Sequence, residues 1–504
     1  MTKTIMSRLV ANRNSLWLGL ILFLVLVCLN WVGFTASDDV TYARGGAGWI
    51  EHFPFVGGHG TIRYPITIPM ALSFLTFGEN EFAMVLPSLI YMLICLAMIW
   101  HAVRNVAGTW SAACALGLLI TCPLLVIQSS IASIDIVEMA CLFASVLLFW
   151  TCLDKGPAPR ILFAAGAMAG LAFLARETAI FIVPFYGVLF LLGHRFRRSQ
   201  YLWIVAGFLA VWGCEILYLW MMTGDPLYRI NISLHHDASI NRSIDLAGNA
   251  IVSPLIDPLL VLLLNQEFMA LFFIAIPAGI WLCFGSDIDS RVRHFSRILA
   301  LFGLCWFVCT GAAQKLLPLN PRYFMITAAV ACILTGMALA QFVRDKAGSR
   351  KWMAGVIALL LIGGNFVGSY VENKQSMFGV EKLVAIANSH PGEVITTDPM
   401  TRFRANILLQ WDGAEKHVLS DPPRHAGLYF YNPAYAASAN FKMDADTVSV
   451  YQPRRDWAVL ARYAPEPTYL AHFLEWTGLS RSLPEAVWHK LRYHHPEVTL
   501  YRIP

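Results

Sequence analysis

The chain has 504 residues, of which 57% are hydrophobic and only 14% charged, with a formal net charge of +5. Apolar runs recur along its first three-quarters, which places it among integral membrane proteins and sets aside a soluble enzyme as the main body. The small positive excess follows the loops and forms no basic stripe, so nucleic acid is excluded as a partner.

The first apolar run, from about Leu16 to Phe34, holds roughly twenty residues, which at about 1.5 Å each cross a hydrocarbon core. It has no small-residue cleavage site before Ser37 and reads as a signal anchor. Ser37-Asp38-Asp39-Val40-Thr41-Tyr42-Ala43-Arg44 follows at once and sets two adjacent carboxylates at the membrane edge. Ser37 or Asp38 can cap a helix predicted from Val40 to Ile50, with Asp39 complementing its dipole. The rest of this long first external loop carries Trp49, Phe53 and Phe55, then Gly57-Gly58-His59-Gly60 and Thr61-Ile62-Arg63-Tyr64-Pro65. Its apolar stretch Ile66–Phe77 is too short to span and is predicted to lie along the outer leaflet.

Further spans are predicted near Phe82–Val103, Ser111–Ile127, Ile136–Cys152, Ile161–Ala175, Ala179–Leu192, Tyr201–Met222, Phe268–Phe284, Ile298–Ala312, Tyr323–Phe342 and Trp352–Tyr370, about eleven in all. Pro123, Pro184 and Pro277 interrupt three of them, which a bundle tolerates when neighbours satisfy the freed carbonyls. Alternate loops carry most of the Lys and Arg, among them Arg104, Lys155, Arg197, Arg291 and Arg350. That face is cytoplasmic, so the carboxy-terminal tail is external.

The polar residues of the external loops have no role in setting topology. Asp135 precedes a span with Glu138 three residues on, a capping-box-like arrangement. A carboxylate as deep as Glu138 should face a cavity or a cation. Arg176-Glu177 is either a neutralising pair at a turn or a source of a guanidinium for phosphate oxygens. Tyr228, His235 and His236 lie in a long external loop, where a His pair is either simply exposed or a pair of metal ligands. Lys315 and Pro321-Arg322-Tyr323 lead into a late span, where Arg322 can snorkel to headgroups.

The chain divides into a transmembrane module, 1–370, and a polar external domain, 371–504. Short strands are predicted at 392–398, 417–421, 457–461 and 498–501, with helices at 380–388 and 402–410, which makes a small α/β domain. All eleven cysteines precede the tail, so no disulfide framework is expected. Zinc, nucleotide triphosphate and dinucleotide motifs are absent from the sequence.

Several of these pieces, in this order, resemble the GT-C glycosyltransferases that use lipid-phosphate sugars, particularly protein O-mannosyltransferases and lipid A aminoarabinose transferases. Asp38-Asp39-Val40-Thr41-Tyr42-Ala43 is similar to the family's Asp-Glu-x-x-Tyr-Ala loop. Arg63-Tyr64-Pro65 and Phe77-Gly78-Glu79-Asn80-Glu81-Phe82 resemble its Lys-Pro-Pro and Phe-Gly-x-x-x-Phe stretches. Asp135 falls at its second external Asp, Gly170-Leu171-Ala172-Phe173-Leu174-Ala175-Arg176 resembles its Gly-Leu-Ala-x-Leu-x-Lys segment, and Pro321-Arg322-Tyr323 its late Arg-Tyr entry. Two departures stand out: Asp39 replaces Glu, and Ile62 stands where aminoarabinose transferases offer a carboxylate to a metal. A divalent metal is left open, and the departure argues against requiring one.

The resemblance implies a mainly α, polytopic GT-C-like bundle of about eleven spans with a small external α/β domain. It also implies a multi-pass protein of a bacterial inner membrane, with its last domain on the periplasmic side. A hexosyl, pentosyl or related sugar would pass from a polyprenyl-phosphate donor to an extracytoplasmic acceptor hydroxyl, with inversion. Asp38 would be the general base, with Asp39 beside it and Asp135 orienting the acceptor or supporting the base. Arg63, Arg176, Arg322 and Lys315 would face the donor phosphate. Tyr42, Arg44, Tyr64, Glu177, Tyr228, His235, His236 and Tyr323 are candidates for further substrate contacts. A second reading of the same charges is a transporter or flippase for an anionic lipid-linked substrate, which predicts an internal repeat that the sequence does not display.

Overall fold

A computed structural model describes residues 2–193, 197–235, 256–313, 319–344, 348–373, 377–423, 425–436, 449–493 and 495–504. The chain forms two compact units. Met1–Trp31, Thr41–Thr76 and Phe82–Glu372 make the first, and Val32–Val40, Phe77–Glu81 and Asn373–Pro504 the second.

The first unit is a helical bundle. Its helices are α1 (Thr2–Leu29), α2 (Asp38–Glu51), α3 (Tyr64–Phe77), α4 (Glu81–Ala107), α5 (Thr109–Thr121), α6 (Pro123–Ser129), α7 (Ile134–Lys155) and α8 (Pro159–Ala175). After a 3-10 turn at Glu177–Phe181 come α9 (Ile182–Leu191), α10 (Tyr201–Thr223), α11 (Tyr228–His235), α12 (Asp257–Leu264), α13 (Leu271–Phe284) and α14 (Ser290–Ala312). A second 3-10 turn, Pro321–Phe324, leads into α15 (Met325–Val343), and α16 (Gly348–Glu372) closes the series.

Among the described residues, six helices are long and apolar enough to cross a bilayer: α4, α7, α10, α14, α15 and α16. The pair α5 and α6, bent by 64°, makes a seventh if counted as one span. The bend falls where Pro123 can donate no N–H to the preceding turn. The other predicted spans are also apolar helices: α8, Glu177–Leu191 and α13 have 10–17 residues, and Ser15–Leu29 is the apolar part of the 28-residue α1. Length and composition therefore give six crossings, or up to seven, among the described residues, and the count of about eleven is not confirmed. Helix α3 has 14 residues, about 21 Å of rise, and is too short to cross, as its sequence predicts.

Two helices are interior. In α7 and in the span ending at Val343, 78% of the most apolar stretch is buried, against 22% for α10. Both inner helices begin with polar residues, and this places Asp135 and Tyr323 at the head of the packed core. Helices α8 and α10 cross at very close range: a Cβ on Gly166 would strike the carbonyl of Ile204, and one on Gly207 that of Phe163. Small residues at the crossing let two apolar backbones touch, which is how helices associate where the hydrophobic effect is weak.

The second unit is built on a five-stranded sheet. Its strands are β1 (Ile395–Thr397), β2 (Val418–Leu419), β3 (Gly427–Tyr431), β4 (Ala458–Tyr463) and β5 (Val498–Ile503), in the order β2-β1-β3-β5-β4. Strand β1 is parallel to β2 and β3, whereas β5 is antiparallel to β3 and β4. The predicted helices appear as α17 (Phe378–Ser389) and α18 (Pro399–Trp411). Asp398, predicted at a strand end, caps α18 by accepting from the Thr401 amide at 2.8 Å. The central strand β3 was not predicted. Its run Leu428-Tyr429-Phe430 is fully buried and has no polar alternation to announce a strand.

Candidate functional site

In the first unit, the heads of α7 and α15, the end of α8 and the outer part of α14 enclose a small pocket lined by Asp135, Glu138, Arg176, Thr178, Trp306, Thr310, Arg322 and Tyr323. Helix α7 starts at Ile134, so Asp135 in its first turn complements the helix dipole and Glu138 follows one turn deeper. Helix α8 ends at Ala175, and Arg176 leaves it with an extended backbone. That turn throws the guanidinium across onto Asp135, with which it forms a buried ion pair. Thr178 donates to Glu138 at 2.5 Å.

Two arginines lie against Tyr323. The Arg176 guanidinium lies 4.3 Å from its ring centroid and that of Arg322 5.2 Å, while Arg322 Nη2 reaches the Tyr323 hydroxyl at 3.3 Å. Asn320 caps the 3-10 turn by accepting from the Arg322 amide, and Trp306 Nε1 donates to the Tyr323 carbonyl at 2.8 Å. The cation–π contacts hold both guanidinium groups at the ring, and the cap sets the turn that carries Arg322. The Thr310 hydroxyl is buried at the pocket wall with no hydrogen-bond partner among the described residues.

Arg63 approaches the same region from the loop before α3. Its Nη1 donates to the Tyr42 hydroxyl at 3.1 Å, its Nη2 lies 3.2 Å from His59 Nε2, and it is within electrostatic reach of Glu138 and Glu177. Tyr42 in turn acts electrostatically on Arg176. The first unit thus brings together Tyr42, Arg63, Asp135, Arg176, Arg322 and Tyr323. Asp135 pairs with Arg176, a partner 41 positions along the chain that the sequence does not announce.

Asp38 and Asp39 belong to the second unit and differ from each other. Asp38 is exposed in the first turn of α2. Asp39 is 1% exposed, and its carboxylate accepts from the amides of Thr35 and Ser37, both at 2.6 Å, and of Val40 at 3.1 Å. Burial pushes the Asp39 carboxyl up from its ordinary range against the pull of those amides. Its geometry is that of an anchor for the loop before α2, with no oxygen turned outward.

A second charged cluster in the first unit surrounds Arg229, which is not among the candidates drawn from the sequence. Its Nε donates to both Glu215 oxygens at 2.9 Å, its Nη1 to Glu177 at 2.9 Å, and its Nη2 to the carbonyls of Ile62 at 2.8 Å and Leu174 at 3.1 Å. Glu215 also lines an apolar cavity of about 480 Å³ with Trp49, Tyr64, Leu174, Val211 and Tyr218. This cavity opens on α10, whose outward side chains Leu209, Leu217 and Trp220 are about half exposed, as a lipid-facing helix requires.

The remaining candidates scatter. Tyr64 packs edge-on against Trp49 and Tyr218, and the Tyr228 hydroxyl donates to the Gly57 carbonyl at 3.2 Å. Arg44 is exposed on α2. Glu177 is an Arg229 partner. Lys315, His236 and the side chain of His235 lie outside the described residues. Among the described residues no group of three or more His, Cys, Asp or Glu is disposed to hold a metal ion.

A family model described as dolichyl-phosphate-mannose-protein mannosyltransferase matches residues 66–220, a stretch that includes Asp135, Arg176 and Glu215. The chain is similar to ArnT from Cupriavidus metallidurans bound to undecaprenyl phosphate, with 13% identity, coverage of 95% of this chain and 97% of that one, and a TM-score of 0.55. Against the apo state of that protein the identity is 13%, the coverage 97% and 98%, and the TM-score 0.57. It is also similar to the oligosaccharyltransferase AglB from Archaeoglobus fulgidus in complex with an inhibitory peptide and a dolichol-phosphate, with 12% identity, 82% and 64% coverage, and a TM-score of 0.50. No curated protein sequence matches the chain. At these identities the likeness is one of fold. The resemblance to GT-C glycosyltransferases read from the sequence is borne out at that level, and the chain has the GT-C fold.

Proposed function

We propose that this protein is a membrane glycosyltransferase that moves a sugar from a polyprenyl-phosphate carrier to an acceptor hydroxyl outside the cytoplasm. The observation that carries the reading is the pair of guanidinium groups, Arg176 and Arg322, both held against the ring of Tyr323 at the head of the bundle. Bidentate, preorganised Arg is suited to phosphate, and its effect grows where water is scarce. The model of dolichyl-phosphate-mannose enzymes over residues 66–220 and the neighbours solved with undecaprenyl phosphate and dolichol-phosphate support a lipid phosphate as the ligand. The apolar cavity beside Tyr64 and Leu174 offers room for the start of the carrier chain.

In this reaction the acceptor oxygen attacks the anomeric carbon from the face opposite the phosphate, and the bond from that carbon to the phosphate oxygen breaks. The electron pair leaves with the polyprenyl phosphate, whose growing charge is met by Arg176, Arg322 and Arg63. The acceptor proton goes to Asp38, the exposed member of the acidic pair, while Asp39 holds the loop that presents it. Asp135 fixes Arg176 in its working orientation. The acceptor is a hydroxyl of a glycan, lipid or protein on the periplasmic side of a bacterial inner membrane, where no nucleotide sugar is at hand.

The test compares extracytoplasmic glycoconjugates by mass spectrometry from cells with the wild-type gene, with Asp38→Asn, and without the gene. The expected result is a sugar-sized mass present only with wild type, although the variant inserts and accumulates normally. Removal of a general base costs about 10²–10⁴-fold. A modification that persists undiminished with Asp38→Asn removes the assignment of the base.

A further inference from the structure

Arg229 lies outside the phosphate pocket, yet apart from Glu215 the groups it holds are next in sequence to Arg63 or Arg176, or lie in the last turn of the helix that ends on Arg176. Its Nη2 binds the carbonyl of Ile62, the residue before Arg63. The same nitrogen binds the carbonyl of Leu174 in the last turn of α8, where helix carbonyls have no partner within the helix, and Arg176 is the residue on which that helix ends. Its Nη1 binds Glu177, the residue after Arg176. Glu215 on α10 holds Arg229 itself through Nε and Nη2, and Ser233 on α11 donates to Glu177 at 3.1 Å.

We infer that Arg229, anchored by Glu215, is a positioning residue that sets Arg63 and Arg176 at one spacing for the donor phosphate. The inference rests on the function proposed above and deepens it, since it assigns a role to a residue that cannot touch the phosphate. Arg229 is 2% exposed and each of its three nitrogens already donates to the protein, which sets it to hold chain segments together. Three separate pieces of chain, at residues 62, 174 and 177, are tied by one rigid planar group. A shift of a few tenths of an ångström in any of them is passed on to the neighbouring guanidinium. Lys in place of Arg229 retains the charge facing Glu215 but cannot reach all of these acceptors in one geometry.

The experiment measures binding of undecaprenyl phosphate to the full-length protein in nanodiscs. The variants are Arg229→Lys, Arg63→Ala, their combination, and Glu177→Gln. Arg229→Lys is expected to weaken binding about tenfold, as misplacement of a binding group does. In the Arg63→Ala background the same change is expected to add less than about threefold, because residues acting through one another are non-additive. Full additivity overturns the inference.

Glu177→Gln serves if Arg229→Lys fails to fold, since it leaves the Arg229–Glu215 pair in place. It removes a negative charge near Arg63, so simple electrostatics predicts tighter phosphate binding. Positioning predicts weaker binding, and a gain in affinity therefore overturns the inference. Wild-type protein that binds no undecaprenyl phosphate overturns the proposed donor itself. Normal wild-type binding with an additive Arg229→Lys removes only the role of Arg229.

Discussion

Arg176 and Arg229 are both buried arginines of the first unit, and both are paired with a buried carboxylate. They differ in how many donors they have left. Arg229 spends its guanidinium on two glutamates and two backbone carbonyls. Among the described residues, Arg176 donates one hydrogen bond, to Asp135, and lies over the Tyr323 ring at the wall of a pocket. Arg229 ties the protein to itself through all three nitrogens, whereas Arg176 faces the pocket, and under the proposed function that difference assigns Arg176 to the donor phosphate. Sequence cannot draw that distinction, because each is a single Arg beside an external turn.

The largest effect that tests this contrast is on stability. Arg229→Met leaves Glu215, 4% exposed, as a buried charge without its partner, and is expected to cost about 3–5 kcal/mol in thermal or denaturant melting. The double change Arg229→Met with Glu215→Met should recover most of that loss, since two apolar groups replace the pair. If the single and double variants are equally unstable, the pair is not what the site depends on. Next comes Arg176→Lys, which retains the charge for Asp135 but loses the planar fork. Transfer should fall about 10²-fold or more with melting little changed. A large loss of stability with activity retained would invert the comparison.

A smaller effect concerns the crossing that brings α8 and α10, and with them Arg176 and Glu215, together. Gly207→Leu drives a side chain into the Phe163 carbonyl and should cost about 1–3 kcal/mol by overpacking, read as a lowered melting temperature. The smallest lies in the second unit, where Glu381 faces Glu79, Glu81 and Asp412 across a polar groove. Desolvation of its carboxyl group, reinforced by Glu81 and opposed by Lys382, pushes its pKa up from 4.5 to about 7. A carboxyl that binds its proton more tightly when folded stabilises the protein fully below about pH 4.5, and that contribution is lost as pH rises through about 7. Melting temperature should therefore decline over this range, and Glu381→Gln should flatten the decline.

What the sequence shows follows from what a residue can declare by itself. Apolar runs declare helices, so the positions of all the predicted spans were legible, while their sufficiency to cross was not, because α8 and α13 are short. The order of acidic and basic loop residues was legible too, and it pointed to Asp135, Arg176, Arg322 and Tyr323, which one pocket unites. The pairing of Asp135 with Arg176 was not, since it depends on how α8 ends against α7. Asp38 and Asp39 look interchangeable as neighbours, and only the turn at Thr35–Ser37 separates an exposed acid from an anchoring one. Arg229 was hidden because its partners, at residues 62, 174, 177 and 215, are scattered along the chain, and β3 by being apolar throughout.

The second unit is assembled from Val32–Val40, Phe77–Glu81 and Asn373–Pro504, which gives it a timing of its own. The ribosome makes the loop of Asp38 at the outset and the strand β5 last, with more than four hundred residues between them. At about 5–20 residues per second, the early segment waits on the order of half a minute or more for the partners it folds with. During that interval the helices can insert in turn while the acid stays unplaced. A nascent or truncated chain would then be a membrane-embedded protein whose second unit is still waiting for its last strand.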